Sequence, residues 1–425
     1  MDVLVLAHRA PVAPITGANV KVYHVLRAML ERGIRPHLRC FGTPDEGRRL
    51  SESFDGDSIG SIEVVGHDPL SIVPRVGMAF LRGSSLTDAM FDSRQMRSSV
   101  AEAVKRHGIR RAFAYSSSMA QFVPVELRAR TFMELADLDS QKFSAYAKER
   151  PAPMRWVHAI EGRRQAERER TIIEQFGRCS LVSAREIALL RRQLPDLHPD
   201  RVMLLRNGVD TAYFAACEAR ESGDRDRVAA EAEFIFTGVM DYPPNVQAVG
   251  WFATQVLPGL RTRVPGARFT VVGTRPSAQV RRLGTLPGVV VTGAVDDVRP
   301  YLARATACVV PLTTARGVQN KAIEAMACGK AVVCSPAVHE GVGARPGVDY
   351  LVADAAAQWV EVLACVADDC ALRSGLGGSA RGWVVDNHDW ARCLSPLFEF
   401  LEGPVAKVCP GNGAADEPLV FQMDD

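Results

Sequence analysis

The sequence predicts two α/β domains in tandem, each a doubly wound parallel sheet covered by helices, the two facing a central cleft. Short apolar runs rich in Val and Ile alternate with stretches of helical periodicity, the pattern of a parallel sheet buried on both faces. The alternation falls into two blocks separated by a charged, aperiodic stretch, Arg220-Glu221-Ser222-Gly223-Asp224-Arg225-Asp226-Arg227, which reads as a connection. A length of 425 residues suits two or three domains and is ample for real cores.

In the first block, Val3 to Leu6 reads as a strand and Pro11 to Gly17 as a turn-rich loop. Val22, Val25, Leu26 and Met29 then form one helical stripe ending at Gly33. Further strands are predicted at 36–41, 61–65, 111–115, 130–135, 180–183 and 201–205, and Ser183 with Glu186 forms a capping-box pattern. Second-block strands are predicted at 233–237, 267–272, 288–292, 306–310, 331–334 and 349–352. Asn245 is placed to cap the helix that carries Val249, Trp251, Phe252 and Val256, and Pro258 to end or kink it. The expected organisation is 1–213, a linker at 214–232, 233–385, a helix at 386–403 crossing back to the first domain, and a disordered tail at 404–425.

Composition excludes several classes. Hydrophobic residues at 47% and charged residues at 24% are those of a globular chain. The 51 basic and 49 acidic residues leave +2, which gives no ground for nucleic-acid binding. No apolar run approaches the roughly 18–20 residues of a membrane span. The start, Met1 to Arg9, lacks the basic region of a secretion signal. Ten cysteines without a C-x-x-C pair read as reduced residues of a cytosolic protein.

In such a fold, ligands bind just beyond the carboxyl ends of the strands. Gly17, in the first strand-to-helix connection, can therefore let a ligand approach the backbone with Lys21 beside it, and the missing G-x-G-x-x-G argues against a nicotinamide enzyme. The most informative stretch is Arg316-Gly317-Val318-Gln319-Asn320-Lys321-Ala322-Ile323-Glu324-Ala325-Met326-Ala327. Asn320 opens a helix after a strand, so Gly317, Val318 and Gln319 can offer backbone N–H groups to an anion. Lys321 and Glu324 share one face of the first turns. Either they form an exposed i,i+3 ion pair, or the carboxylate accepts two ribose hydroxyls while the lysine neutralises phosphate.

With Asn207-Gly208-Val209-Asp210, Gly238, Gly273, Thr292-Gly293 and Asp297 preceding Asn320-Lys321-Ala322-Ile323-Glu324-Ala325-Met326-Ala327, the order of motifs resembles the retaining glycosyltransferases of family 4, which have the GT-B fold. Within them it is most similar to the sugar transferases associated with exosortase (PEP-CTERM) exopolysaccharide clusters. That likeness rests on Met133-Glu134-Leu135-Ala136-Asp137-Leu138-Asp139-Ser140-Gln141-Lys142, Met240-Asp241-Tyr242-Pro243-Pro244-Asn245 and Arg316 to Lys321.

The resemblance implies a nucleotide-sugar donor on the second domain at Gly238, Gly273, Gly317, Val318, Gln319, Asn320, Lys321 and Glu324, and a glycan or lipid-linked acceptor on the first, on the side of Gly17 and Lys21. Transfer would retain configuration and use neither metal nor cofactor. Glu324 matches the ribose-binding second Glu of the family's E-x7-E motif, whereas Arg316 stands where the first Glu is usual. The family's Arg and Lys pair after the first strand of the second domain is also absent, which leaves Lys321 and Arg316 as substitutes against the diphosphate. Arg316 can alternatively meet a carboxylate on the sugar. Asp137 is a candidate to orient or deprotonate the acceptor, against the alternative that it and Asp139 cap a helix.

Residues 69–92 mix Val73, Val76, Met78, Phe80 and Leu81 with Arg75 and Arg82, a pattern suited to a membrane surface. A cytoplasmic location, at the inner face of the cytoplasmic membrane, follows as an expectation. A nucleotide-sugar epimerase or hydrolase on the same fold, or a non-catalytic nucleotide- or glycan-binding relative, are the alternatives.

Overall fold

The structure, a computed structural model, describes every residue except 13–17, 55–58, 68, 216–231, 316–318 and 405–425. The first sheet has seven parallel strands: β1 (Asp2–Ala7), β2 (Arg35–Phe41), β3 (Ser61–Val65), β4 (Arg111–Tyr115), β5 (Thr131–Ala136), β6 (Arg178–Leu181) and β7 (Val202–Leu204). Their order is β3-β2-β1-β4-β5-β6-β7. In register, Leu4 lies between His37 and Ala112. The second sheet has six: β8 (Glu233–Thr237), β9 (Arg268–Val272), β10 (Val289–Gly293), β11 (Ala307–Val310), β12 (Val332–Cys334) and β13 (Leu351–Val352), ordered β10-β9-β8-β11-β12-β13.

Strand order reverses between β1 and β4 in one sheet and between β8 and β11 in the other. At such a point the following helices diverge to opposite faces and leave a crevice beyond the strand ends. Each sheet therefore has one built-in place for a ligand.

Both faces of the first sheet are buried, as its unbroken apolar strands require. Leu4, Leu6, Ala112, Ala114 and Met133 fill one side, and Val3, Val5, Phe113 and Phe132 the other. The second side is closed by the helix Trp390–Glu402, whose Trp390, Leu394, Leu397, Phe398 and Leu401 join that core. Arg111 also donates to the carbonyl of Phe400 at 3.0 Å.

Two local expectations resolve differently. Pro243 and Pro244 occupy the first turn of the helix Pro243–Trp251, which makes Tyr242 its N-cap and frees Asn245 from capping. The break near Pro258 is a π turn, Phe252–Val256, followed by the helix Leu257–Arg263 with Pro258 in its first turn, where a missing N–H costs least. Of the Ser183–Glu186 pattern, half forms. Ser183 accepts from the Glu186 N–H at 3.2 Å, while the Glu186 carboxylate accepts from Leu138 N at 2.8 Å.

Candidate functional site

At the crevice of the second sheet, Gly238 leaves β8 and Gly273 leaves β9 in close contact. A Cβ on Gly273 would stand 1.6 Å from the Gly238 carbonyl oxygen, and one on Gly238 would stand 2.9 Å from Asn245 Nδ2 and 3.3 Å from Lys321 Nζ. Only glycine lets these backbones nest and leave the space above them open.

The helix Asn320–Ala327 forms the other wall. Ala322, Ile323, Ala325, Met326 and Ala327 bury its inner face, which turns Lys321 and Glu324 outward. Gln319 is its N-cap residue without a side-chain cap bond; the Ala322 N–H closes on the Gln319 carbonyl at 2.9 Å, and the N–H groups of Asn320 and Lys321 ahead of it make no hydrogen bond among the described residues, which suits them to an anion.

Lys321 Nζ donates to Asn245 Oδ1 at 2.6 Å and lies 4.2 Å from the centre of the Phe236 ring. Asn245, 5% exposed, fixes its own amide by donating Nδ2 to the Val239 carbonyl at 2.9 Å. Burial pushes the Lys321 amine down to about 7, and the negative charge of Glu324 offsets only part of this. Glu324 is half-buried, its carboxyl is pushed up by burial and drawn back by Lys321, and it has no hydrogen-bond partner among the described residues. The i,i+3 ion pair is thus not what the two side chains make. A carboxylate with open acceptor capacity in the second turn of a helix can accept a vicinal diol, and a cation in the first turn can meet a diphosphate.

The first domain places its candidates differently. Lys21 is 1% exposed and donates to the Leu205 carbonyl at 2.6 Å. It is paired at 3.4 Å with Glu134, itself fully buried and accepting from Ser180 Oγ at 2.5 Å. Burial lowers the Lys21 amine, and Glu134 opposes the shift. Lys21 therefore holds the sheet interior together instead of facing an acceptor.

Asp137 is exposed just past β5. It is not the N-cap of the helix Asp139–Glu149, which is Leu138, and Asp139 accepts from Ser117 Oγ at 2.7 Å. That helix start is held instead by carboxylates from other helices, Glu186 on Leu138 N and Glu169 on Ser140 N (2.9 Å) and Ser140 Oγ (2.6 Å). The chain reaches Asp137 through Ala136 at φ 65°, a left-handed non-glycine residue of the kind that recurs at functional sites.

Gly238, Gly273, Asn320, Lys321 and Glu324 are thus brought to one crevice. Gly17, Arg316, Gly317 and Val318 lie outside the described residues. Sequence reasoning missed Asn245 as the partner of Lys321. The signal was the preceding Pro243-Pro244, which fixes the helix start and leaves Asn245 inside it. No cluster of three or more His, Cys, Asp or Glu side chains suited to a metal occurs among the described residues. No helix among them is long and apolar enough to cross a membrane.

Residues 231–369 match the family model described as glycosyl transferases group 1. None of the curated protein sequences matches the chain. Among solved structures, sucrose-phosphate synthase from Thermosynechococcus elongatus is similar at 17% identity and TM-score 0.66, covering 94% of this chain and 98% of that one. HepE of Anabaena in complex with UDP is similar at 15% identity and TM-score 0.66, covering 95% and 100%. WaaG, a glycosyltransferase involved in lipopolysaccharide biosynthesis, is similar at 16% identity and TM-score 0.63, also covering 95% and 100%. The chain thus has the GT-B fold, two doubly wound domains facing a cleft, and its second domain matches the model of the group 1 glycosyl transferases.

Proposed function

We propose that the protein is a retaining, metal-independent glycosyltransferase that moves a sugar from a nucleotide-sugar to a glycan or lipid-linked acceptor in exopolysaccharide biosynthesis, working in the cytoplasm at the inner membrane face. The observation that supports it most is the carboxylate of Glu324, without a hydrogen-bond partner among the described residues, beside a lysine already aimed by Asn245. In this reading Glu324 accepts the ribose hydroxyls. The diphosphate lies over Gly238 and Gly273 against Lys321 and the first turn of the Asn320 helix, with Gly317 and Val318 adding N–H groups and Arg316 a second cation. As the glycosidic bond breaks, negative charge grows on the leaving diphosphate, and fixed cations and a helix N-terminus stabilise it without a metal. Asp137 orients the acceptor hydroxyl or takes its proton.

Labelled nucleotide-sugars incubated with the protein and a lipid extract test this. The solved HepE structures hold UDP and UDP-glucose, so UDP-sugars head the panel. Label moving into the lipid fraction supports transfer. Free or isomerised sugar without acceptor points to an epimerase or hydrolase, and binding without turnover to a non-catalytic protein.

A further inference from the structure

The crevice of the first sheet, between the ends of β1 and β4, is lined by rings. His8, the first residue past β1, stacks on Tyr115, the last of β4, with centroids 5.7 Å apart and planes at 15°. Phe91 meets His8 edge-on at 6.3 Å and His67 at 5.4 Å, and His67 stacks on the buried Phe41 at 4.5 Å. His8 is half-buried, and its Nδ1 is enclosed without a hydrogen-bond partner. The Tyr115 hydroxyl makes no hydrogen bond among the described residues. β4 leaves the sheet through Ser116 at φ 84°, a second left-handed non-glycine residue beside Ala136. Tyr115 and Phe41 also belong to the core, 4% and 2% exposed, but two strained exits beside the half-buried His8 and the exposed His67 at a switch point are what a ligand site needs.

Cations act on two of these rings. The charges that act on His8 are those of Arg9, Lys142 and His67, and burial together with these pushes its imidazole down to about 4. Arg75 and Arg9 act likewise on His67. Lys142 has a loose partner in Asp139 at 3.8 Å. Arg75 belongs to the helix Pro69–Arg82, on which the exposed residues Val73, Pro74, Gly77, Met78, Phe80 and Leu81 are apolar and the exposed Arg82 closes the last turn. Ring faces take the C–H faces of a saccharide, and a neutral imidazole and a phenol bond its hydroxyls. Two or three cations are superfluous for a neutral sugar and matched to a phosphate.

We propose that His8, Tyr115 and His67, with Arg9, Arg75 and Lys142 around them, form the acceptor subsite, and that the acceptor is a saccharide bearing a phosphate. This rests on the transferase reading above and names its acceptor class. The phosphate can belong to a soluble sugar phosphate or to a lipid diphosphate, and the apolar helix face beside Arg75 bears on which.

The test is calorimetric binding to the full chain of hexose 1-phosphate, the neutral methyl hexoside, and the same hexose on a short prenyl diphosphate. The phosphorylated sugar is expected to bind at least about tenfold tighter than the methyl glycoside, as one charge-assisted contact would give. Arg75→Ala and Lys142→Ala should each remove most of that difference and leave the methyl glycoside unchanged, with circular dichroism confirming folding. Tighter binding of the prenyl compound that is lost in Val73→Ser/Leu81→Ser assigns the lipid source, and equal binding assigns the soluble one. Equal affinity for phosphorylated and neutral sugars overturns the proposal. So does phosphate binding that survives Arg75→Ala and Lys142→Ala but disappears in Lys321→Met, because the ligand then occupies the other crevice. Sugar-phosphate binding that depends on Arg75 while no nucleotide-sugar is turned over would leave this site standing and remove the transferase reading instead.

Discussion

Lys321 Nζ is bonded to Asn245 Oδ1 at 2.6 Å and not to Glu324, three residues on along the same helix face. On the proposed reading, this arrangement suits the site to both ends of a nucleoside diphosphate. The lysine is positioned by a neutral amide and not by a carboxylate, and the Glu324 carboxyl has no hydrogen-bond partner among the described residues.

The first prediction is a pH dependence of donor binding. Burial holds the empty-site Lys321 amine at about 7. A diphosphate beside it favours the ammonium, so binding takes up a proton at higher pH. Affinity is then fully present below pH 7 and falls about tenfold per unit above it, until the raised pKa of the complex is reached. Calorimetry in buffers of different ionisation heat at pH 8 should show proton uptake on binding. Lys321→Met should abolish it.

Asn245 sets the position and the proton affinity of that amine. Asn245→Ala should weaken donor binding about tenfold by leaving the amine unaimed. Asn245→Asp places a negative charge on the amine and should move the alkaline fall-off upward by about one pH unit or more, while competing with the diphosphate. A purely structural role for Asn245 would leave the pH profile of the Asp variant unmoved.

Lys21 is predicted to matter for stability and not for donor binding. Lys21→Met leaves Glu134 buried without its counter-charge, which costs about 3–5 kcal/mol. Adding Glu134→Gln should restore part of the loss. Denaturant unfolding of the single and double variants measures this, and donor affinity in whatever remains folded should match the wild type.

Gly273→Ala puts a methyl group 1.6 Å from the Gly238 carbonyl oxygen. Displacing one strand exit from the other should cost about 1–3 kcal/mol and spoil the floor on which the diphosphate is proposed to lie. Donor titration of the folded fraction should show a loss well beyond what the lower stability explains.

Strand by strand, the sheets were legible because parallel strands buried on both faces must be apolar throughout, and runs such as Val3 to Leu6 or Ala307 to Val310 have few other uses. The second-domain crevice was legible for a related reason. Gly238, Gly273, Lys321 and Glu324 sit at fixed offsets after strands, and offsets are what a sequence displays. The first-domain crevice was not. His8, Phe41, His67, Phe91 and Tyr115 come from five separate segments, and nothing in their spacing says that their rings meet. Lys21 misled because a lysine in a strand-to-helix connection is ordinarily exposed, and its burial depends on Glu134 arriving from a strand more than a hundred residues away. Asn245 misled because a capping residue and an interior one differ by the Pro-Pro pair that shifts the helix start.

The central claim is that Glu324 receives the ribose of a nucleotide donor, and its most direct test is the donor dissociation constant of Glu324→Gln against wild type. The substitution keeps the shape and removes the charged acceptor, worth about 1.5–3 kcal/mol, so the account predicts affinity lower by about 10–150-fold with an unchanged unfolding midpoint. Wild-type affinity in a correctly folded Glu324→Gln protein would contradict it.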